Sequence, residues 1–355
     1  MRSSGPGSHA HEFGQHHEPT GRRRNASGDR GPSDLTNQPL TAPPVFFRRF
    51  SDPEEYVASL RLGAARFQAP VARGYNATVM RAQFGAFGFG CGEASTAATV
   101  HGEIPAECVF MFDTAPGPER VLGGRTVRFG NLYHPASNDG YLGKSTGEAS
   151  YWGTISVPYR ELSAITVALT GRDLAPSRAS GVVAHTSAAA LRRMVQVSGR
   201  IGRIIEHDPA RLRRPEMATV LSGLLGQILT ACLLDGRLEP DLAATGRRRR
   251  IMGRLEEIGE AHVDEPLTLA GLCAALGVNA RTLRLVAHEF VGMGPVQYLR
   301  MQRLNRARLA LVQSDPRVAS VGDIAAAFGF WESGRFAALY RATFGEMPGE
   351  TLRRA

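Results

Sequence analysis

Apolar positions change their period as the chain proceeds. Between Asn76 and about Val157, short β-prone runs (Ala77–Phe87, Cys108–Phe112, Thr126–Phe129, Tyr151–Val157) are interrupted by glycine and proline. Short strands with frequent turn signals predict a small sheet or barrel. The spacing then lengthens to three and four residues. Tyr159–Leu169 reads as a short helix, and Ser187–Glu206 sets Leu191, Met194, Val195, Ser198, Ile201 and Ile205 near one helical face. Pro209 and Pro215 bracket a turn, and Glu216–Leu234 follows as a second, apolar helix. Such a hairpin can cover the barrel, present a stripe to a second copy of the chain, or do both.

The last hundred residues contain a repeat. Leu269–Val278 returns as Val321–Phe330 at an offset of 52, and past one added loop residue the offset becomes 53, so that Leu283 matches Phe336, Gly292 matches Gly345, Pro295 matches Pro348 and Leu299 matches Leu352. Each copy has the grammar of a helix-turn-helix: a short apolar helix, a glycine able to take positive φ, one large apolar residue, then a second helix. Thr268 and Asn279 are the expected N-caps of Leu269–Leu276 and Ala280–Val291. In the second copy Ser320 caps Val321–Phe328, and the next helix runs over Ser333–Phe344. Pro295–Gln313 joins the copies as a helix of 19 residues, about 28 Å long at 1.5 Å per residue. That length suits holding two reading heads about one DNA turn apart, roughly 34 Å.

The second helix of the first copy sorts its faces. Leu283, Val286, Ala287 and Phe290 point inward, while Arg281, Arg284 and His288 point outward together. Arginine grips guanine O6 and N7 with two hydrogen bonds, each such pair giving about 1–3 kcal/mol of discrimination. A solvated charged face explains most such stripes; it loses ground here because this helix is the one the motif presents to the major groove. In the second copy Phe336, Leu339 and Tyr340 are core. Arg335 is the base-reading candidate there, and Ser333 and Arg341 suit phosphate oxygens. Arg300, Arg303, Arg306 and Arg308 on the joining helix can serve phosphates or intrahelical pairs, with surface solvation explaining at least some of them.

Charge agrees with this division. The chain carries a net +9, and 41 of its 42 basic residues are arginine, Lys144 being the exception. Residues 1–50 contribute +3, residues 51–245 only +1, and residues 246–355 the remaining +5. The first 40 residues read as a disordered tail rather than a signal peptide, and residues 1–44 are set apart from the folded chain. His9, His11, His16 and His17 in that tail are a weak metal-binding prospect without an ordered scaffold, and Arg22-Arg23-Arg24 adds at most non-specific attraction to nucleic acid. The apolar stretch Val220–Leu234 is too short for a membrane span, which needs about 20 residues. Cys91, Cys108, Cys232 and Cys273 have no metal-ligand spacing and read as buried thiols of a cytoplasmic protein. No metal or cofactor is expected. Within the barrel, Tyr133, His134, Tyr151 and Trp152 are candidates to line a small-molecule pocket, with ordinary packing as the alternative.

From Arg250 to Arg354 the chain resembles the DNA-binding domain of the AraC/XylS family of bacterial transcription regulators. The resemblance rests on the doubled motif, on Gly292-Met-Gly-Pro295-Val-Gln-Tyr298-Leu-Arg300-Met-Gln-Arg303-Leu304-Asn-Arg306-Ala307-Arg308-Leu309, and on Asp323-Ile324-Ala325, Gly329-Phe330, Phe336, Tyr340, Phe344-Gly345 and Pro348. It implies two helix-turn-helix units in successive major grooves. The base-reading positions then fall on Arg281, Arg284, Leu285, His288, Ser333, Gly334, Arg335 and Ala338; Arg300, Arg303 and Arg341 are phosphate candidates from the residues alone, not from the resemblance. Two departures stand out: Trp331-Glu332 occupies a place where small polar residues are usual, and Leu285, Gly334 and Ala338 offer no polar side chain. The preceding segment resembles the family's cupin-like sensor barrel and dimerising helices.

The resulting expectation is an α+β chain: a cupin-like β-barrel over residues 45–180, a helical hairpin and linker over 181–245, and an all-α double helix-turn-helix over 250–354. The expected partners are double-stranded DNA, a second copy of the chain, a small effector and, if it activates, RNA polymerase, with no membrane. The rival readings are a cupin-type enzyme with a DNA-binding appendage and a non-specific architectural DNA binder.

Overall fold

The computed structural model describes residues 45–60, 66–68, 75–96, 99–102, 108–136, 141–145, 149–178, 181–240 and 243–354. The histidine and arginine clusters of the N-terminal tail, and its expected disorder, lie outside the described residues. The first part of the described chain is β-rich. It runs β1 (Val45–Phe50), α1 (Pro53–Ser59), β2 (Arg66–Gln68), β3 (Ala77–Phe84), β4 (Phe87–Ala94), β5 (Thr99–Gly102), β6 (Cys108–Asp113) and β7 (Arg120–Leu122). It continues through β8 (Arg125–Val127), β9 (Asn131–His134), β10 (Tyr141–Ser145), β11 (Ser150–Val157), α2 (Tyr159–Thr170) and β12 (Val182–His185). The hairpin helices α3 (Ala188–His207) and α4 (Pro215–Leu234) follow, joined by a 3-10 turn at Pro209–Arg213, and β13 (Arg237–Pro240) returns to the sheet. The remainder is helical: α5 (Ala243–Ala261), α6 (Leu269–Leu276), α7 (Ala280–Val291), α8 (Pro295–Gln313), α9 (Val321–Ala327), α10 (Ser333–Phe344) and α11 (Pro348–Arg354).

The β-rich part and the all-helical part agree with the sequence expectation, but the barrel is not closed. Eight strands form one sheet in the order β1-β3-β4-β11-β6-β9-β12-β13, and five form another in the order β2-β5-β10-β7-β8. Where the chain passes from β8 to β9, the Asn131 side-chain oxygen accepts the Arg128 N–H at 2.8 Å, a donor that a ladder between these strands would need. The run Ala77–Phe87 is also not one strand. It folds back at Gly85, whose φ of +57° starts a two-residue turn between Phe84 and Phe87.

Strand alternation gives the large sheet two different faces. Phe84, Phe87, Phe89, Phe110, Phe112 and Ile155 face the helices and pack with Met194, Ile201, Ile205, Leu225 and Leu229 of α3 and α4. The opposite face carries Val109, Met111 and Tyr133 with Leu122 and Val127 of the smaller sheet, and a second cluster around Val79, Tyr56 and Trp152. This alternation also separates the four residues proposed to share a pocket. Tyr133 and Trp152 lie on the inter-sheet side, the latter donating to Tyr56 Oη at 2.9 Å. His134 packs on the helix side against Phe110 and Tyr159, and Tyr151 borders a groove beside α3. They do not line one cavity.

Helix α4 spans 20 residues rather than the 15 of the apolar run, because Pro215 can open a helix whose first N–H groups are unpaired in any case. It is therefore long and apolar enough to cross a membrane. Leu221, Leu225, Ile228, Leu229, Cys232 and Leu233 are instead buried in the protein core.

His134 is a buried neutral imidazole. Its Nδ1–H donates to Val109 O at 2.9 Å, and its Nε2 accepts from Tyr159 Oη at 3.1 Å. Burial lowers its pKa from the ordinary 6.5, against an opposing effect of the Val109 hydrogen bond. The unfolded chain takes up a proton that the folded chain refuses, so stability is lost as pH falls below 6.5. Urea unfolding between pH 7.5 and 5.5 is expected to show this loss, with a slope of up to about 1.4 kcal/mol per pH unit. His134→Gln should flatten the slope; an unchanged slope in that variant would assign it elsewhere.

Candidate nucleic-acid interface

Each half of the helical segment has its own apolar core. In the first, α5 supplies Ile251, Met252 and Leu255, α6 supplies Leu272 and Leu276, and α7 supplies Leu283, Val286, Ala287 and Phe290. In the second, Leu304, Ala307 and Leu311 of α8 pack with Ala325 of α9 and Phe336, Tyr340 and Phe344 of α10. Helix α8 also lends Tyr298 and Leu299 to the first core, and the buried Tyr298 hydroxyl donates to Glu256 Oε1 at 2.6 Å.

The caps account for the helix boundaries. Thr268 accepts from Gly271 N at 3.2 Å, Asn279 from Thr282 N at 2.8 Å and Ser320 from Asp323 N at 3.2 Å. Gly277 ends α6 at φ +65°, and Gly329 takes φ +72° after α9. No side chain could replace Gly329 freely, since a Cβ there would overlap the Asp264 carbonyl. The axes of α6 and α7 meet at 94°, within the range of helix-turn-helix pairs. At the start of α10 the unusual Glu332 makes no side-chain cap. Its carboxylate instead accepts from Arg335 Nη1 at 2.9 Å.

The expected inward residues of α7 are all buried, Leu283, Val286 and Ala287 completely so. Arg281, Arg284 and His288 are exposed on the opposite face. Leu285 is half exposed beside them, an apolar surface of the kind that meets a thymine methyl. Ser333, Gly334, Arg335, Ala338 and Arg341 are exposed on α10, with Arg335 held by Glu332.

The arginines of α8 divide by direction. Arg300 is exposed, whereas Arg303 is partly buried with its guanidinium 5.3 Å from the Phe330 ring centre. Burial, with Arg300 nearby, pulls Arg303 below the ordinary arginine range. Arg308 is buried over Phe344 at 4.9 Å, between Glu346 at 3.9 Å and Asp52 at 4.0 Å. These two guanidiniums pack the domain, a role that spacing on a helix could not distinguish from phosphate contact.

Two features escaped the sequence reading. Helix α5 begins before the Arg247–Arg250 run, and its signal in the sequence is Ile251, Leu255 and Ile258 at spacings of three and four. The other is a seam between the small sheet and the first half-domain. A Cβ at Gly124, in the turn between β7 and β8, would overlap the Phe290 ring of α7. Arg249 donates to Gly123 O at 3.2 Å. Lys144 of β10 lies against Gly292 at the C-terminus of α7, where a cation is favoured by the helix dipole.

This geometry defines a double helix-turn-helix domain with two outward reading helices. Residues 272–354 match the family described as "Helix-turn-helix domain". A probable thc operon regulatory protein of Rhodococcus erythropolis is 33% identical over 162 residues, covering 42% of this chain and 47% of that protein. The XylDLEGF operon transcriptional activator 3 of Pseudomonas putida is 34% identical over 101 residues, 28% of this chain and 30% of its own length. The crystal structure of a probable AraC family transcriptional regulator from Rhodopseudomonas palustris is 34% identical, covering 30% of this chain and 97% of that one, with a TM-score of 0.27. The chain thus spans less than half the length of these two curated relatives. By its C-terminal domain, the protein is of the AraC/XylS type.

Asn279→Ala should lower stability to urea by about 1 kcal/mol, because the Thr282 N–H loses its cap. Glu332→Ala should change it by less than about 0.5 kcal/mol, since only an exposed ion pair is removed. Equal losses would mean that the two reading helices start by the same device.

Proposed function

We propose that the protein is a sequence-specific, DNA-binding transcription regulator. The observation that carries this reading is α7: one side is a closed apolar core, and the other offers Arg281, Arg284 and His288 to solvent from the second helix of a helix-turn-helix. Arg281 and Arg284 read guanines, His288 and Arg335 supply further base contacts, and Ser333 adds one at the start of α10. Arg300 and Arg341 hold phosphates. Arg303 contributes through its packing on Phe330, and reaches a phosphate only if that contact opens.

The protein acts in the cytoplasm as a homodimer, with the hairpin of α3 and α4 at the contact. RNA polymerase is its further partner where it activates. The relatives are named as an operon regulatory protein and an operon transcriptional activator, which favours regulation over the enzyme reading. A small effector acts through the β-rich part. The seam at Gly124, Lys144 and Phe290 supports this, because strand movement there reaches the C-terminal end of α7.

The test uses a duplex selected by the full chain from random DNA. Arg281→Ala and Arg284→Ala should each relax preference at defined base pairs, costing about 1–3 kcal/mol on the selected sequence. Arg300→Ala and Arg341→Ala should weaken all sequences alike and reduce the salt slope by about one. Equal losses on selected and scrambled DNA for all four variants would contradict the assignment.

A further inference from the structure

Beside α3, on the helix-facing side of the large sheet, lies an open groove of about 730 Å³, a volume typical of small-molecule sites. Its floor is apolar. Met80 and Cys91 sit opposite each other on β3 and β4, and Val195 of α3 closes one wall. Burial pushes the Cys91 thiol up to about 12, so it is a neutral surface rather than a nucleophile.

Two local costs coincide at this groove. Ser198 lines it and is only 2% exposed, yet its Oγ has no hydrogen-bond partner. A buried hydroxyl in that state is unfavourable unless something else fills its need. Gly199 and Gly202 also line it from within α3, although glycine weakens a helix interior. A Cβ at either would make only ordinary contacts, 3.4 Å from Met80 Sδ at Gly202 and 3.7 Å from Arg203 Nη1 at Gly199. Gly199 is exposed where it lines the groove.

The charges at the rim indicate what fits. Arg200 and Arg203 border the groove, and neither has an ion-pair partner among the described residues. Of the two rim carboxylates, Glu206 is taken by Arg49 at 2.7 Å, and Glu93 accepts from Thr78 Oγ1 at 3.5 Å.

We propose that this groove binds a small organic carboxylate with an apolar body: the carboxylate on Arg200 and Arg203, the body over Met80 and Cys91, and a polar atom on Ser198. Such a ligand would brace α3 against the sheet. Its meaning as an effector rests on the DNA-binding reading; the site itself does not.

The test uses the full chain without DNA, so its failure leaves that reading intact. Thermal shift and calorimetry would compare hexanoate and phenylacetate with hexylamine and phenethylamine. At least one carboxylate should raise the Tm saturably while its matched amine does not. Ser198→Ala should weaken that binding about tenfold. Gly199→Leu should raise the ligand-free Tm, as a better helix former, and abolish the ligand shift. The proposal is overturned if neither carboxylate shifts the Tm, if the amines shift it equally, or if Gly199→Leu keeps the full response. It is also overturned if Gly199→Leu changes only the oligomeric state, which would make the groove a face between copies.

Discussion

Helix α8 contributes Tyr298 and Leu299 to one apolar core and Leu304, Ala307 and Leu311 to the next, and this shared membership fixes the two reading helices relative to each other. A flexible linker would leave two weak DNA-binding units. A continuous helix of 19 residues lets the second unit bind without paying again for its placement. The buried Tyr298–Glu256 hydrogen bond at one end and Arg308 over Phe344 at the other hold α8 against both halves. These polar anchors set register where apolar contacts alone would allow sliding.

The same logic orders the arginines. Composition suggested a polyanion partner but could not say which guanidiniums face it. The structure turns Arg303 and Arg308 inward onto aromatic rings and leaves Arg281, Arg284, Arg300 and Arg341 outward. Arg335 lies between these classes, exposed yet engaged by Glu332. Arg249 and Lys144 instead tie the first half-domain to the small sheet. Net charge thus divides into packing, docking and candidate DNA contacts.

The helix-turn-helix was legible in the sequence because its determinants are local. Thr268, Asn279 and Ser320 mark helix starts through their own side chains, and Gly277, Gly292 and Gly345 mark ends through positive φ. Helix α5 was hidden because its few apolar positions, Ile251, Leu255 and Ile258, follow a run of arginines, whereas α4 was legible to within one residue, Pro215 opening it. The β-rich part was legible only as a class. Whether strands close into a barrel depends on pairings far apart in sequence, and the hairpin at Gly85 looked like one run. Tyr133, His134, Tyr151 and Trp152 looked like pocket residues, but adjacent strand positions face opposite sides. The groove beside α3 had no sequence signal apart from Gly199 and Gly202, whose cost to a helix is visible only once the helix is assigned.

The central claim is that one chain reads two successive major grooves through α7 and α10 held by α8. Base-interference mapping on a duplex selected by the full chain tests it most directly. Two clusters of major-groove contacts per bound chain, on one face of the DNA and about 10–10.5 base pairs apart, are the expected result. A single cluster, or interference spread evenly along the duplex, would contradict it.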